Sequence, residues 1–172
     1  MKKSLNLKGN GGITLIALVI TIIVLIILAG ISIAMISGQN GIISKAGAGA
    51  AANQLGAAKD KCALIASEKV NDVYDDVYVK HTSTAAEIGK KIDTGICTAI
   101  NGNTEILNLL GGSGKGSAAV VATAPTYDTT NPNLQKTAGT ITLTYSDGTK
   151  VVGTLNKEGT TPGVIEWGNI TK

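Results

Sequence analysis

Few side chains in this sequence are of a type and spacing that could do chemistry. Residues 111–117 read Gly-Gly-Ser-Gly-Lys-Gly-Ser, a composition that suggests a phosphate-cradling loop. Such a loop needs Ser or Thr directly after Gly-Lys so that the hydroxyl can hold magnesium, and here Gly116 follows Lys115. The segment reads instead as a surface turn. Asp72, Asp75, Asp76 and Glu87 offer oxygens to a cation, yet they lack the Asp-x-Asp spacing and the turn glycine of a calcium loop. A solvated acidic surface is the expectation. His81 has no second His, no nearby Cys and no base partner, so neither a metal site nor an activated nucleophile is built around it. The 15 basic residues are all Lys, Phe is absent, and the aromatics are Tyr74, Tyr78, Tyr127, Tyr145 and Trp167. This set argues against an enzyme, against a cofactor and against base readout.

The elements that must position these groups are set by where charge falls. The 15 Lys and 12 acids give a net charge of +3, and Lys2, Lys3 and Lys8 supply all of that excess, because residues 13–172 hold 12 of each sign. A nucleic-acid binder would carry its excess on the folded domain. Lysines directly before an apolar run instead hold that end in the cytoplasm by the positive-inside rule, which places the rest of the chain outside. No charged residue lies between Lys8 and Lys45, and residues 13–36 are almost wholly apolar, with only Thr14, Thr21 and Ser32 polar. As a helix this run reaches roughly 36 Å, enough for a hydrocarbon core of about 30 Å with some tilt. The hydroxyls can bond back to the helix backbone, and Gly30 is the kind of small residue that lets a neighbouring helix approach closely. A secretory signal peptide has an apolar region of only about 7 to 15 residues, so the run is too long for that reading even though Ser32-Ile33-Ala34 has the form of a cleavage site. A plain single-span anchor leaves the short basic leader and the Gly11-Gly12 pair unexplained.

Those residues carry a resemblance. Lys8-Gly9-Asn10-Gly11-Gly12 followed by Ile13-Thr14-Leu15-Ile16-Ala17-Leu18-Val19-Ile20 resembles the leader and first turns of a type IV pilin, particularly the variants of Gram-positive bacteria, and the match extends over about residues 8–41. The resemblance implies cleavage between Gly12 and Ile13 by a membrane aspartic prepilin peptidase and N-methylation of Ile13. The cut falls upstream of the apolar helix, so the helix is retained, and Thr14, Leu15, Ile16, Ala17 and Leu18 become the start of an assembly helix. Most of the family carries Glu as the fifth mature residue, where its carboxylate pairs with a neighbouring subunit's N-terminal amine. Here that position is Ala17. The departure puts that one packing contact in doubt; it spares the chain a buried carboxylate but leaves the amine to be solvated by Thr14 and backbone carbonyls.

Beyond the run, Gly38 and Gly41 should bend or melt the helix, since an internal Gly costs about 1 kcal/mol relative to Ala. Residues 42–70 are Ala-rich, and Leu55, Cys62, Ala66 and Val70 recur at helical spacing, which makes this half amphipathic. Residues 71–93 read as a polar loop with a short helix over 84–91, Thr84 capping and Glu87 three residues on. From Thr94 onward Thr, Val and Gly favour strands, expected over 96–100, 140–145, 150–155 and 164–167, with Asp147-Gly148 as a hairpin turn. Trp167 is expected to pack in the core or at a sheet edge. Cys62 and Cys97 would both lie outside the membrane, where a disulfide could form and contribute about 3 to 4 kcal/mol, or each could be a small buried apolar residue.

The expected fold is therefore α+β and pilin-like, a long helix on a small antiparallel sheet. Residues 1–12 are a cleaved leader, 13–37 a transmembrane and assembly helix, 38–70 its amphipathic second half, and 71–172 the globular head. The expected role is a structural subunit of a type IV pilus serving adhesion, twitching motility or DNA uptake, membrane-bound as precursor and then extracellular in the filament. The implied partners are further copies of itself, the prepilin peptidase, an assembly platform protein and, indirectly, an assembly ATPase. A pseudopilin or minor pilin of a type II secretion-like or competence system, and a membrane-anchored extracellular binding domain that never polymerises, are the alternatives.

Overall fold

The computed structural model describes residues 11–38, 41–81, 87–112, 116–130, 135–155 and 162–172, with side chains described from Leu15 onward. The Lys2, Lys3 and Lys8 leader and the Thr84 cap lie outside the described residues. Contacts divide the chain into two units, Met1–Ala48 and Gly49–Lys172.

The first unit is dominated by α1, Gly11–Ser37. It ends where the glycines predict. Gly38 donates its backbone N–H to Ala34 O (3.0 Å), Gly41 donates to Gly38 O (2.7 Å), and Lys45 N–H to Gly41 O (3.1 Å) restarts the ladder as α2, Ile42–Tyr74. A Cβ at Gly41 would run into the Ile36 and Gly38 carbonyls, so no other residue fits this turn without backbone movement.

The second unit is a small α+β domain. The α2 stripe Ala51, Leu55, Ala58, Cys62, Ile65 and Ala66 is buried at steps of three and four, as an amphipathic helix requires. The chain does not loop out at residue 71 as expected. Val70, Val73 and Val77 continue the apolar spacing, Val77 is buried, and the helix runs on to Tyr74 and then through a π-helical turn at Asp75–Val79. Next comes α3, Ile88–Asn101, whose buried Ile92, Ile96 and Ile100 repeat every four residues. Residues 96–100 are thus helix and not the expected strand: the recurrence of isoleucines at helical period outweighed the β-branched composition. A short α4, Thr104–Leu109, follows, with the Asn103 side chain accepting from Ile106 N–H (3.0 Å) as an N-cap.

The sheet has the order β1-β4-β5-β6, every pair antiparallel, with β1 Ala119–Thr123, β4 Gly139–Thr144, β5 Lys150–Leu155 and β6 Ile165–Trp167. A separate pair, β2 Thr126–Tyr127 and β3 Gln135–Thr137, lies between β1 and β4 in sequence. The β4–β5 hairpin stands as expected, Asp147 capping its turn by accepting from Thr149 N–H (2.8 Å) and Gly148 holding φ +88°. Alternation sends Ile141 and Leu143 inward and Thr140 outward. These inward residues join Val151 and Leu155 of β5 and the buried stripes of α2 and α3 in one core. Trp167 is half-buried against that core on the edge strand β6, one of the two settings expected for it.

Candidate functional site: the exposed apolar helix

The leading candidate is α1 itself. Every described side chain from Leu15 through Ser37 is exposed. Leu15, Ile16 and Leu18 are each 60% exposed or more, and none of the sixteen large apolar side chains from Leu15 to Ile36 is buried. In water this would be an exposed apolar surface far larger than monomeric soluble proteins carry. The polar atoms are satisfied within the helix: Thr21 Oγ1 donates to Leu18 O, Ser32 Oγ to Leu28 O and Ser37 Oγ to Ile33 O, each at 2.8 Å. By length and composition the helix is able to cross a membrane.

Of the residues singled out in the sequence, Gly12, Ile13 and Thr14 fall in the first turn of α1, where the backbone is helical and the side chains are outside the described set. Leu15, Ile16, Ala17 and Leu18 follow on exposed helix. The position where a glutamate would place charge holds Ala17, so the described part of α1 carries no titratable group.

The remaining candidates resolve into structure. Cys62 and Cys97 are buried free thiols and not a disulfide. A Cβ added at Gly95 of α3 would meet the Lys69 methylenes of α2 at ordinary van der Waals distance, and Lys61 of α2 pairs with Glu105 of α4. Burial pushes the Cys62 thiol up to about 12 and, with the Asp93 charge adding to it, the Cys97 thiol up to about 11, which keeps both protonated and unreactive.

The acidic residues are a solvated surface. Lys69 bonds Asp72 at 2.7 Å and Lys80 bonds Asp75 at 2.6 Å, contacts that raise both lysine pKa values, and no cluster of metal-binding groups forms among the described residues. His81 is an exposed residue at φ +55°. Gly111 and Gly116 hold φ +109° and +65° and press against Ser146, whose N–H donates to Leu110 O (2.9 Å) and whose carbonyl accepts from Ser117 N–H (3.2 Å). The glycine-rich segment thus supports the hairpin turn, and Lys115 lies outside the described residues.

Two polar anchors carry no local signal in the sequence. Asp93 is fully buried, accepting from the Tyr127 hydroxyl and from Gly163 N–H (3.2 Å), and so ties α3 to β2 and to the approach of β6. Asn101 Nδ2 donates to Ala122 O and Asn101 Oδ1 accepts from Ala122 N–H, both at 2.7 Å, which fastens the end of α3 to β1. Once residues 88–101 are read as a helix, Asp93 stands beside Ile92 on its buried face, and that is the signal that would have found it. Compared with protein-family models, with curated proteins and with solved structures, the chain shows no match.

Proposed function

We propose that this chain is a structural subunit of a type IV pilus or a closely related filament. The observation that carries the reading is the pairing of a basic, glycine-ended leader with a helix whose described side chains are all exposed, uncharged and apolar, in a chain that also holds a separately cored α+β domain. In this reading the precursor sits in the membrane with the leader inside. The prepilin peptidase cuts between Gly12 and Ile13, Ile13 is methylated, and α1 leaves lipid for a bundle of like helices in which packing replaces lipid contacts. A platform protein and an assembly ATPase drive the transfer, and the head faces outward to serve adhesion, motility or DNA uptake.

Ala17 gives a specific reason to keep the second reading, a pseudopilin or minor pilin. A subunit lacking the intersubunit carboxylate contributes no partner to its neighbour's amine, which a sparsely incorporated subunit tolerates best. Immunogold electron microscopy of sheared surface filaments separates the two. Continuous labelling marks the major subunit, sparse or tip labelling the minor one, and labelling confined to the cell envelope contradicts both. Gly12→Val should abolish labelled filaments while the precursor persists in the membrane.

A further inference from the structure

At the end of α3 a chemically labile pair of residues doubles as a structural clamp. Asparagine followed by glycine is the pairing most open to deamidation, because no Cβ shields the glycine nitrogen from the carboxamide before it. The sequence has Asn-Gly at 10–11, 40–41 and 101–102, and of these asparagines Asn101 alone lies among the described residues.

The clamp depends on the carboxamide. In the four-stranded sheet β1 is paired on one side only, with β4, and both backbone groups of Ala122 are taken up by Asn101, each at 2.7 Å. Ala122 O needs a donor and Ala122 N–H an acceptor, and a carboxamide offers one of each. A carboxylate in its place would keep the acceptor and set its second oxygen against Ala122 O with no proton between them. Ala122 is only 8% exposed, so water does little to relieve that opposition.

The clamp also guards its own residue. Asn101 is exposed, so solvent is not what it lacks. Deamidation starts when the Gly102 nitrogen attacks the Asn101 carboxamide carbon, and here the carboxamide is held on Ala122 while Gly102 N–H donates back to Thr98 O (3.3 Å). Both reacting groups are engaged elsewhere until the junction opens.

We propose that Asn101-Gly102 is an ageing switch in the second unit: deamidation proceeds only through openings of the α3–β1 junction, and the junction does not reclose afterwards. In the open form the Gly102 nitrogen gives its proton to solvent base and bonds to Asn101 Cγ, the Cγ–Nδ2 bond breaks, and ammonia leaves. Water then opens the succinimide, at Cγ to give aspartate or at the main-chain carbonyl to give isoaspartate. Neither product can donate to Ala122 O. The conversion consumes one water, releases one ammonia and involves no change of oxidation state. The proposal stands apart from the filament reading, since it involves only residues of the second unit.

The test incubates the full-length protein in detergent micelles at pH 8, with and without urea, and follows residue 101 by peptide mapping. The aged fraction, separated by ion exchange, and an Asn101→Asp variant are then compared with fresh protein by amide hydrogen exchange. The expected result is deamidation at Asn101 at least tenfold slower in the native protein than in urea. The Ala122 amide should exchange at least tenfold faster in the aged fraction and in the variant than in fresh protein, with the Ile141 amide of the central strand β4 unchanged. The aged fraction carries the comparison even where Asn101→Asp does not fold. Three results overturn the proposal: equal rates with and without urea, no deamidation at Asn101 in either state, or an aged fraction whose Ala122 amide is as slow as in fresh protein.

Discussion

Residues 15–37 and the core of residues 49–172 use the same aliphatic side chains to opposite ends. In α1, Ile20, Ile23 and Ile26 are each about half exposed or more, while in α3 and β4, Ile92, Ile96, Ile100 and Ile141 are essentially inaccessible. What differs is patterning. In α1 apolar residues cover every side, so no single face can be satisfied by packing on a domain. In α2 and α3 they form a stripe that one neighbour can cover. The first unit needs a non-aqueous surrounding supplied from outside, lipid or other helices, and the second supplies its own. Burying sixteen half-exposed aliphatic side chains amounts to roughly 15 to 25 kcal/mol by area, which is more than the whole stability of a typical domain.

This contrast can be broken from either side. The largest effect is expected from Val24→Asp combined with Leu28→Asp, which sets two charges on one face of α1 at about 2.5 to 3.5 kcal/mol each. Filament yield should fall more than tenfold, while the head's thermal unfolding, followed by near-ultraviolet circular dichroism, stays unchanged. Leu143→Ala should do the reverse. It removes a fully buried side chain and should cost about 2 to 5 kcal/mol in urea unfolding of the head, with membrane retention intact. Asp93→Ala should cost about 1 to 3 kcal/mol by leaving the Tyr127 hydroxyl and Gly163 N–H without their acceptor; Tyr127→Phe in the same background should then add little. The Asn103→Ala change at the α4 cap should cost about 1 kcal/mol.

The cysteines sharpen the comparison through pH. Their folded pKa values are raised above those of free thiols, so their contribution to stability is fully present below about pH 9 and declines as pH rises toward 11 and 12. Thiol labelling of native protein at pH 8 should be slow, with both groups appearing together on denaturation. Fast labelling of either one would contradict the burial.

Where side-chain periodicity was strong, the fold could be read in advance. The uncharged run, the interruption at Gly38 and Gly41, the α2 stripe and the Asp147-Gly148 hairpin each follow from a local rule. Residues 96–100 taken alone, with Ile, Cys, Thr and Ile, favour a strand; the helical repeat of α3 shows only when Ile92 is included. Strand β1, Ala119–Thr123, gives little local signal because its small residues carry little alternation, and its place depends on Asn101 twenty-one residues away. The burial of Asp93 escapes a local reading for the same reason, since it is set by partners 34 and 70 residues distant. The apolar helix α1 is the opposite case: its character is composition, and composition is visible in the sequence.

The most direct test of the central claim is intact-mass and N-terminal analysis of the protein from its native cells, with sheared surface filaments analysed separately from membranes. The account predicts a filament chain that begins at N-methylated Ile13, twelve residues shorter than the precursor. A chain that begins at Met1 and is found only in the membrane would contradict it, and would leave a membrane-anchored binding domain as the better description.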